Sequence, residues 1–179
     1  MLYVFGFEKI GVVISDLYFL DPYPDPGQGD GAERGVRLEI RLLEQGTVEG
    51  TIYASRPIAI GRPLWRGDLL ETVDGPFGSF DRTHHHVAMD GYEPDKRVFD
   101  ESLSSDPLGF LRDALSDLPK LLSQAKYEPE EIGPHDAEQL RAAVPEIVGV
   151  VDSLLKRIYA GELAQAPVGE VEEARLSWL

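Results

Sequence analysis

The 179-residue chain contains no cysteine. Disulfides, thiolate metal ligands and a cysteine nucleophile are thereby excluded, while compartment is left open by this absence. Cations are scarce: 17 Lys and Arg stand against 32 Asp and Glu, a formal net charge of −15. A protein that wraps nucleic acid concentrates Lys and Arg against phosphates, so that class is excluded. Docking on an anionic membrane surface is excluded for the same reason. No run of about eighteen apolar residues occurs, so no membrane-spanning helix is expected. The apolar N-terminus does not read as a signal peptide. Glu8 and Lys9 interrupt it, and it has neither a positive leading segment nor a small-x-small cleavage site. These absences together predict a soluble, cytoplasmic protein.

What is present suffices for a core. Hydrophobic residues make up 42% of the chain, and its length suits a single domain over 1–179. The first hundred residues read as strands. IGVVISDLYFL, 10–20, is apolar on both parities, as for a strand covered on both faces. Over 36–42 the alternation is clean, with Val36, Leu38, Ile40 and Leu42 inward and Arg37, Glu39 and Arg41 outward. Between them lies DPYPDPGQGDGAERG, 21–35, with three Pro and four Gly, too long for a tight turn and expected to be a mobile lid or disordered. Two further strands are predicted at 51–60 and 64–73, separated by a turn at Gly61, Arg62 and Pro63. Pro57 and Pro63 mark an edge or a bulge there. DGPFG, 74–78, reads as a turn, 80–88 as another strand, and 92–99 as a further one.

After residue 100 the period changes to that of helices. Asp106 and Pro107 form a helix start, N-cap then first position. Leu108, Leu111, Leu115, Leu118 and Leu122 make its apolar stripe, which Pro119 should kink or split. A second helix is expected from Asp136, with Gln139 completing an approximate capping box, and Pro145 as another kink. The predicted fold is therefore α+β: an N-terminal antiparallel sheet of five or six strands over 1–100, packed on two or more helices over 104–160, with a tail at 161–179.

FDRTHHH, 80–86, places three of the four histidines side by side. It lies in the one nearly neutral region: residues 56–97 hold six Arg/Lys and seven acids, a balance of −1, leaving −14 elsewhere. In a strand His84 and His86 share a face and His85 points away. Two imidazoles so spaced can hold one metal ion if a third ligand arrives from elsewhere. Gly78, His84, His86 and Asp90 resemble the first cupin motif, but Asp90 replaces its Glu, Arg97 replaces its closing Gly, and the second motif is absent. The HIT, 2H and HD histidine motifs also fail to fit; His135-Asp136 reads more simply as a helix cap.

A hairpin closed by DGPFG, with Val73 opposite Ser79, sets Asp68 opposite His84 and Arg66 opposite His86. One face then carries Arg66, Asp68, Arg82, His84 and His86. On that register Asp68, His84 and His86 are candidate catalytic acid–base residues, and Arg66 and Arg82 candidate binders of an anionic small molecule. The alternatives are a divalent metal held by His84 and His86, or cross-strand pairs on a solvated face. A different class of function is a non-catalytic interaction or homo-oligomeric assembly module. It would use the sheet edge near Pro57 and Pro63, or the tail residues Leu176, Trp178 and Leu179.

IAIGRPLWRGDLLETVDGPFGSFDRTHHH, 58–86, and RVFDESLSSDPLGFL, 97–111, resemble an uncharacterised family of bacterial proteins with no assigned activity. The resemblance transfers no catalytic residue. What it implies is only that the chain is unlike the well-known enzyme superfamilies.

Overall fold

A computed structural model describes residues 1–20 and 31–166. Five antiparallel strands form one sheet in the order β1-β2-β3-β4-β5: β1 Leu2–Gly6, β2 Ile10–Leu20, β3 Ala32–Gln45, β4 Ile58–Thr72 and β5 His84–His86. Two two-residue strands, β6 Met89–Asp90 and β7 Glu93–Pro94, pair separately. The helices follow: α1 Glu101–Ser105, α2 Pro107–Leu115, α3 Leu118–Leu121 and α4 Asp136–Tyr159, with a 3-10 turn at Pro129–Glu131 before α4. The α+β organisation expected from the sequence is the one observed. Among the described residues no helix is long and apolar enough to cross a membrane.

Strand parity decides which side of the sheet is the core. Ile10, Val12 and Ile14 of β2 join Val36, Leu38 and Ile40 of β3 and Trp65 and Leu69 of β4, all fully buried. Against them pack Leu111, Leu115, Leu118 and Leu122 of the α2–α3 stripe and Leu140, Ile147, Val151 and Leu154 of α4. Each such side chain contributes about 1.5–3 kcal/mol on burial. The helices thus cover one face, and the opposite parity on the same strands is left for other chemistry.

Several elements differ from the sequence expectation. The two strands at 51–60 and 64–73 are one long strand, and 51–57 lies outside it. Gly61, Arg62 and Pro63 are not a turn, because the pairing register shifts beside Pro63, which faces Arg41. A bulge tolerates a residue without a ladder N–H, so the strand continues through the proline. Arg62 is anchored across the molecule, donating to the Lys126 carbonyl and to Glu131. The expected strand at 80–88 is reduced to three residues. Phe80 adopts φ 47° and the Thr83 N–H bonds back to the Phe80 carbonyl, so 80–83 is a turn. Of 92–99 only Glu93–Pro94 is strand, with Val98 bridging to His85. The expected lid at 21–35 ends earlier, since β3 begins at Ala32; 21–30 and the tail from 167 onward lie outside the described residues.

Helix boundaries follow capping chemistry. Asp106 accepts from the Gly109 N–H and Pro107 opens α2, as the sequence indicates. Pro119 splits rather than bends the stripe: α2 ends at Leu115, and Asp117 caps α3 by accepting from the Lys120 N–H. The short α1, capped by Asp100, carries too little pattern to be seen in the sequence. Asp136 does not cap α4. Its fully buried carboxylate accepts from the backbone N–H groups of Glu8 at 2.8 Å, Lys9 at 3.1 Å and Gly133 at 2.6 Å, tying the β1–β2 turn to the start of the helix.

Removing this carboxylate leaves three backbone donors without their acceptor. Asp136→Ala should therefore cost about 2–4 kcal/mol of stability in urea unfolding. A loss below about 0.5 kcal/mol, within the range of ordinary surface substitutions, would show that the turn does not depend on it.

Candidate functional site

The register of β4 and β5 builds the site. Arg66 pairs with His86, Gly67 with His85 and Asp68 with His84, the alignment expected from the hairpin. On the next strand Arg37 pairs with Asp68 and Glu39 with Arg66. Alternation therefore gathers Arg37, Glu39, Arg66, Asp68, His84 and His86 on the sheet face away from the helices, while Trp65 and His85 turn toward them. Gly67 permits this crowding, because a Cβ there would lie 2.6 Å from the Trp65 ring.

Asp68 is the centre of the cluster and is 1% exposed. Arg37 grips both its oxygens, Nε to Oδ1 at 2.6 Å and Nη2 to Oδ2 at 3.2 Å. Arg66 Nε also lies 3.2 Å from Oδ2, but it is not aligned for a hydrogen bond. Glu39 completes the network, accepting from Arg41 Nη1 at 2.6 Å and standing 4.0 Å from Arg66 Nη1. Burial alone would push the Asp68 carboxyl up, yet Arg37 and Arg66 together hold it at about 2. The two arginines are not equivalent. Burial works against both charges, but Asp68 overcomes it at Arg37, whose pKa is raised, and not at Arg66, whose pKa is lowered. Arg37 is the firm partner, in keeping with its two-point geometry.

The histidines are fixed from behind. His84 Nδ1 lies 2.8 Å from the Arg82 carbonyl and His86 Nδ1 lies 2.7 Å from the Asp95 carbonyl. A carbonyl only accepts, so in each ring Nδ1 carries the proton. Burial lowers the pKa of His84 against the pull of Asp68. Burial and the charge of Arg66 lower that of His86 to about 4. Both rings are thus neutral near pH 7, with lone pairs on Nε2. Those atoms face Asp68 Oδ2, at 3.5 Å from His84 and 3.9 Å from His86. Three acceptors therefore converge with no hydrogen between them. Their ligating atoms all lie within 4.8 Å of one another, the one such group of three among the described residues.

Of the five residues expected to share this face, Arg66, Asp68, His84 and His86 do. Arg82 does not. It lies in the turn before β5, its N–H still bonding the Leu70 carbonyl, and its guanidinium is engaged by Thr72 Oγ1 at 3.2 Å beside Asp81 rather than by Asp68. Its contribution is the carbonyl that orients His84. Asp90 and Gly78, of the cupin-like spacing, do not join the three acceptors. Two central residues, Arg37 and Glu39, were legible only as outward positions of β3; the clue was that an Arg at 37 could meet the Asp at 68 across a β3–β4 pairing. Neither described cavity is lined by Asp68, His84 or His86. No protein-family model, curated protein or solved structure matches the chain, so the site is read from its own geometry.

His86 makes stability pH-dependent with a definite sign. The unfolded ring takes up its proton near pH 6.5, the folded one only near 4, so stability from this group is lost as pH falls through that window. Acidification also relieves the mutual repulsion of a chain carrying −15, which acts in the opposite direction. Urea midpoints between about pH 7 and about pH 4.5 should hence drop more steeply for the wild type than for His86→Gln. Parallel pH profiles for the two proteins would rule out a buried neutral His86.

Proposed function

We propose that Asp68, His84 and His86 hold a divalent first-row metal ion, and that the loaded site binds an anionic small molecule. The observation that carries this is the convergence of two Nε2 lone pairs on a carboxylate oxygen, each ring held in that tautomer by a backbone carbonyl. Histidine ligands are characteristically oriented in this way through their second nitrogen. Ligand atoms on one ion with bonds of ~2.0–2.2 Å stand roughly 3.0–3.5 Å apart, close to the His84 spacing and a small closure from that of His86. Two His and one carboxylate suit zinc or ferrous iron and leave coordination positions for water or a ligand.

Charge then selects what binds next. Without metal, Arg37, Arg41 and Arg66 already exceed Asp68 and Glu39 by one positive charge. A bound divalent ion makes the cluster more strongly cationic within an otherwise acidic molecule, so an anionic group such as a carboxylate or phosphate is the complementary ligand. Arg37 fixes the carboxylate from the side away from the histidines and moderates metal affinity by its charge. With a metal in place, a water on the ion would be the reactive species, and His84 and His86 would act as ligands rather than as acid–base groups. This reading places the protein in the cytoplasm, with neither nucleic acid nor membrane as partner, in line with its charge. A second reading, a protein-interaction module, is favoured by one feature: Ile52 and Tyr53, between β3 and β4, are 90% and 89% exposed.

Cobalt(II) titration of metal-stripped, tag-free protein tests the proposal. About one equivalent should bind with visible ligand-field bands, zinc should displace it, and the His84→Ala/His86→Ala variant should show neither. Inorganic phosphate should perturb the bands. Folded wild type that takes up no cobalt or zinc would overturn the metal reading, and phosphate binding by that metal-free protein would restore a direct anion site.

A further inference from the structure

The two arginines beside Asp68 are held differently. Arg37 holds both carboxylate oxygens by hydrogen bonds. Arg66 makes no hydrogen bond among the described residues, although a guanidinium is rich in N–H donors and this side chain is only 13% exposed. Its Nε is buried and unpartnered. Its Nη1 stands 4.0 Å from Glu39 Oε1, while the other oxygen of Glu39 already accepts from Arg41. The Nη atoms are not among the buried unpartnered ones, so the donors left over reach solvent rather than the interior.

The position of this loosely held cation gives it a role. Its Nε lies 3.2 Å from Asp68 Oδ2, the same oxygen that His84 Nε2 faces at 3.5 Å and His86 Nε2 at 3.9 Å. A divalent ion ligated by those three residues would therefore share Oδ2 with a guanidinium that makes no hydrogen bond to it. Two cations at one oxygen repel, and the one without hydrogen bonds is the one that yields. Glu39, directly opposite Arg66 on β3, gives the displaced guanidinium a carboxylate to stay near.

We propose that Arg66 is a metal-dependent anion binder: without metal it rests on Asp68, and metal at Asp68, His84 and His86 turns its guanidinium to an oxyanion that also reaches the ion. This role rests on the metal reading above. The ligand class follows from the planar fork of donors. It matches two oxygens on one centre, as in a carboxylate or a phosphate, and not a monatomic anion such as chloride. Metal and oxyanion then bind with positive coupling, each raising the affinity of the other by the same factor. Arg37, locked on both oxygens of Asp68, stays where it is.

The test measures cobalt(II) affinity of the tag-free, metal-stripped full chain from its ligand-field bands. Titrations run with and without inorganic phosphate, at constant ionic strength made up with chloride. In the wild type, phosphate should raise cobalt affinity about fivefold or more, and added chloride should not. Arg66→Met removes the competing charge. Without phosphate it should bind cobalt about tenfold or more tightly than wild type, and phosphate should then change that affinity less than about twofold. The substitution strands no carboxylate, since Asp68 keeps Arg37 and Glu39 keeps Arg41. Arg66→Gln repeats the measurement with a second neutral side chain, and Arg66→Lys, which keeps the charge, should stay within about threefold of wild type without phosphate. Neutral variants that bind cobalt no more tightly than wild type, neutral variants that keep the full phosphate effect, or a chloride effect equal to that of phosphate would each overturn the role of Arg66 and leave the metal site standing. Wild type that takes up no cobalt fails the metal reading itself, and the role of Arg66 falls with it.

Discussion

The exposed-parity face of the sheet depends on one interaction, the grip of Arg37 on the buried carboxylate of Asp68. Neither charge could be carried into this environment alone. An unpaired buried carboxylate would take up a proton, and an unpaired arginine would cost several kcal/mol. Together they form a two-point pair across β3 and β4, and that pair positions what lies around it. Arg66 is drawn to the same carboxylate, Glu39 balances Arg66, and Arg41 balances Glu39. The result is a chain of charges across the sheet with His84 and His86 at one end.

Such a network is weak evidence for stability, since well-packed apolar residues of similar volume commonly do as well. Its placement is what gives it functional content. The helices already cover the other face, where Val12, Ile14, Leu38, Ile40 and Trp65 supply an ordinary core. A second apolar face could have been built from the same strands. Instead buried acids, bases and imidazoles occupy it, and the imidazoles present acceptors to a carboxylate. That meeting of lone pairs, at an oxygen that Arg37 and Arg66 also approach, is the feature on which the proposed chemistry rests.

The triple histidine now has a divided meaning. In a three-residue strand, adjacent side chains cannot share a task. The outer two face the charge network, and the middle one faces Trp65 and Phe110 beneath α2. Gly67 is the hinge of this division: it pairs with His85, and its missing side chain is the space filled by the Trp65 ring.

Local sequence determined much of this. The alternation of 36–42, the Asp106-Pro107 helix start and the leucine stripe broken at Pro119 are consequences of neighbours a few residues apart, and each is realised. Even the β4–β5 register was legible, because the DGPFG turn and a period of two leave few alignments for Asp68 and His84. Where a long-range partner intervened, sequence was insufficient. Gly61, Arg62 and Pro63 read as a turn, while Pro63 also reads as an edge or a bulge, and it is the bulge against Arg41 that the sheet realises. Arg82 reads as a site residue until the turn at Phe80 removes it from the strand. Arg37 becomes central only through pairing with a residue 31 positions away, and Asp136 becomes a buried anchor only by meeting a turn 127 to 128 positions distant. Periodicity fixes which way a side chain points relative to its neighbours in the chain. Which charge it meets there is decided by strand order and register, and only the folded sheet supplies those.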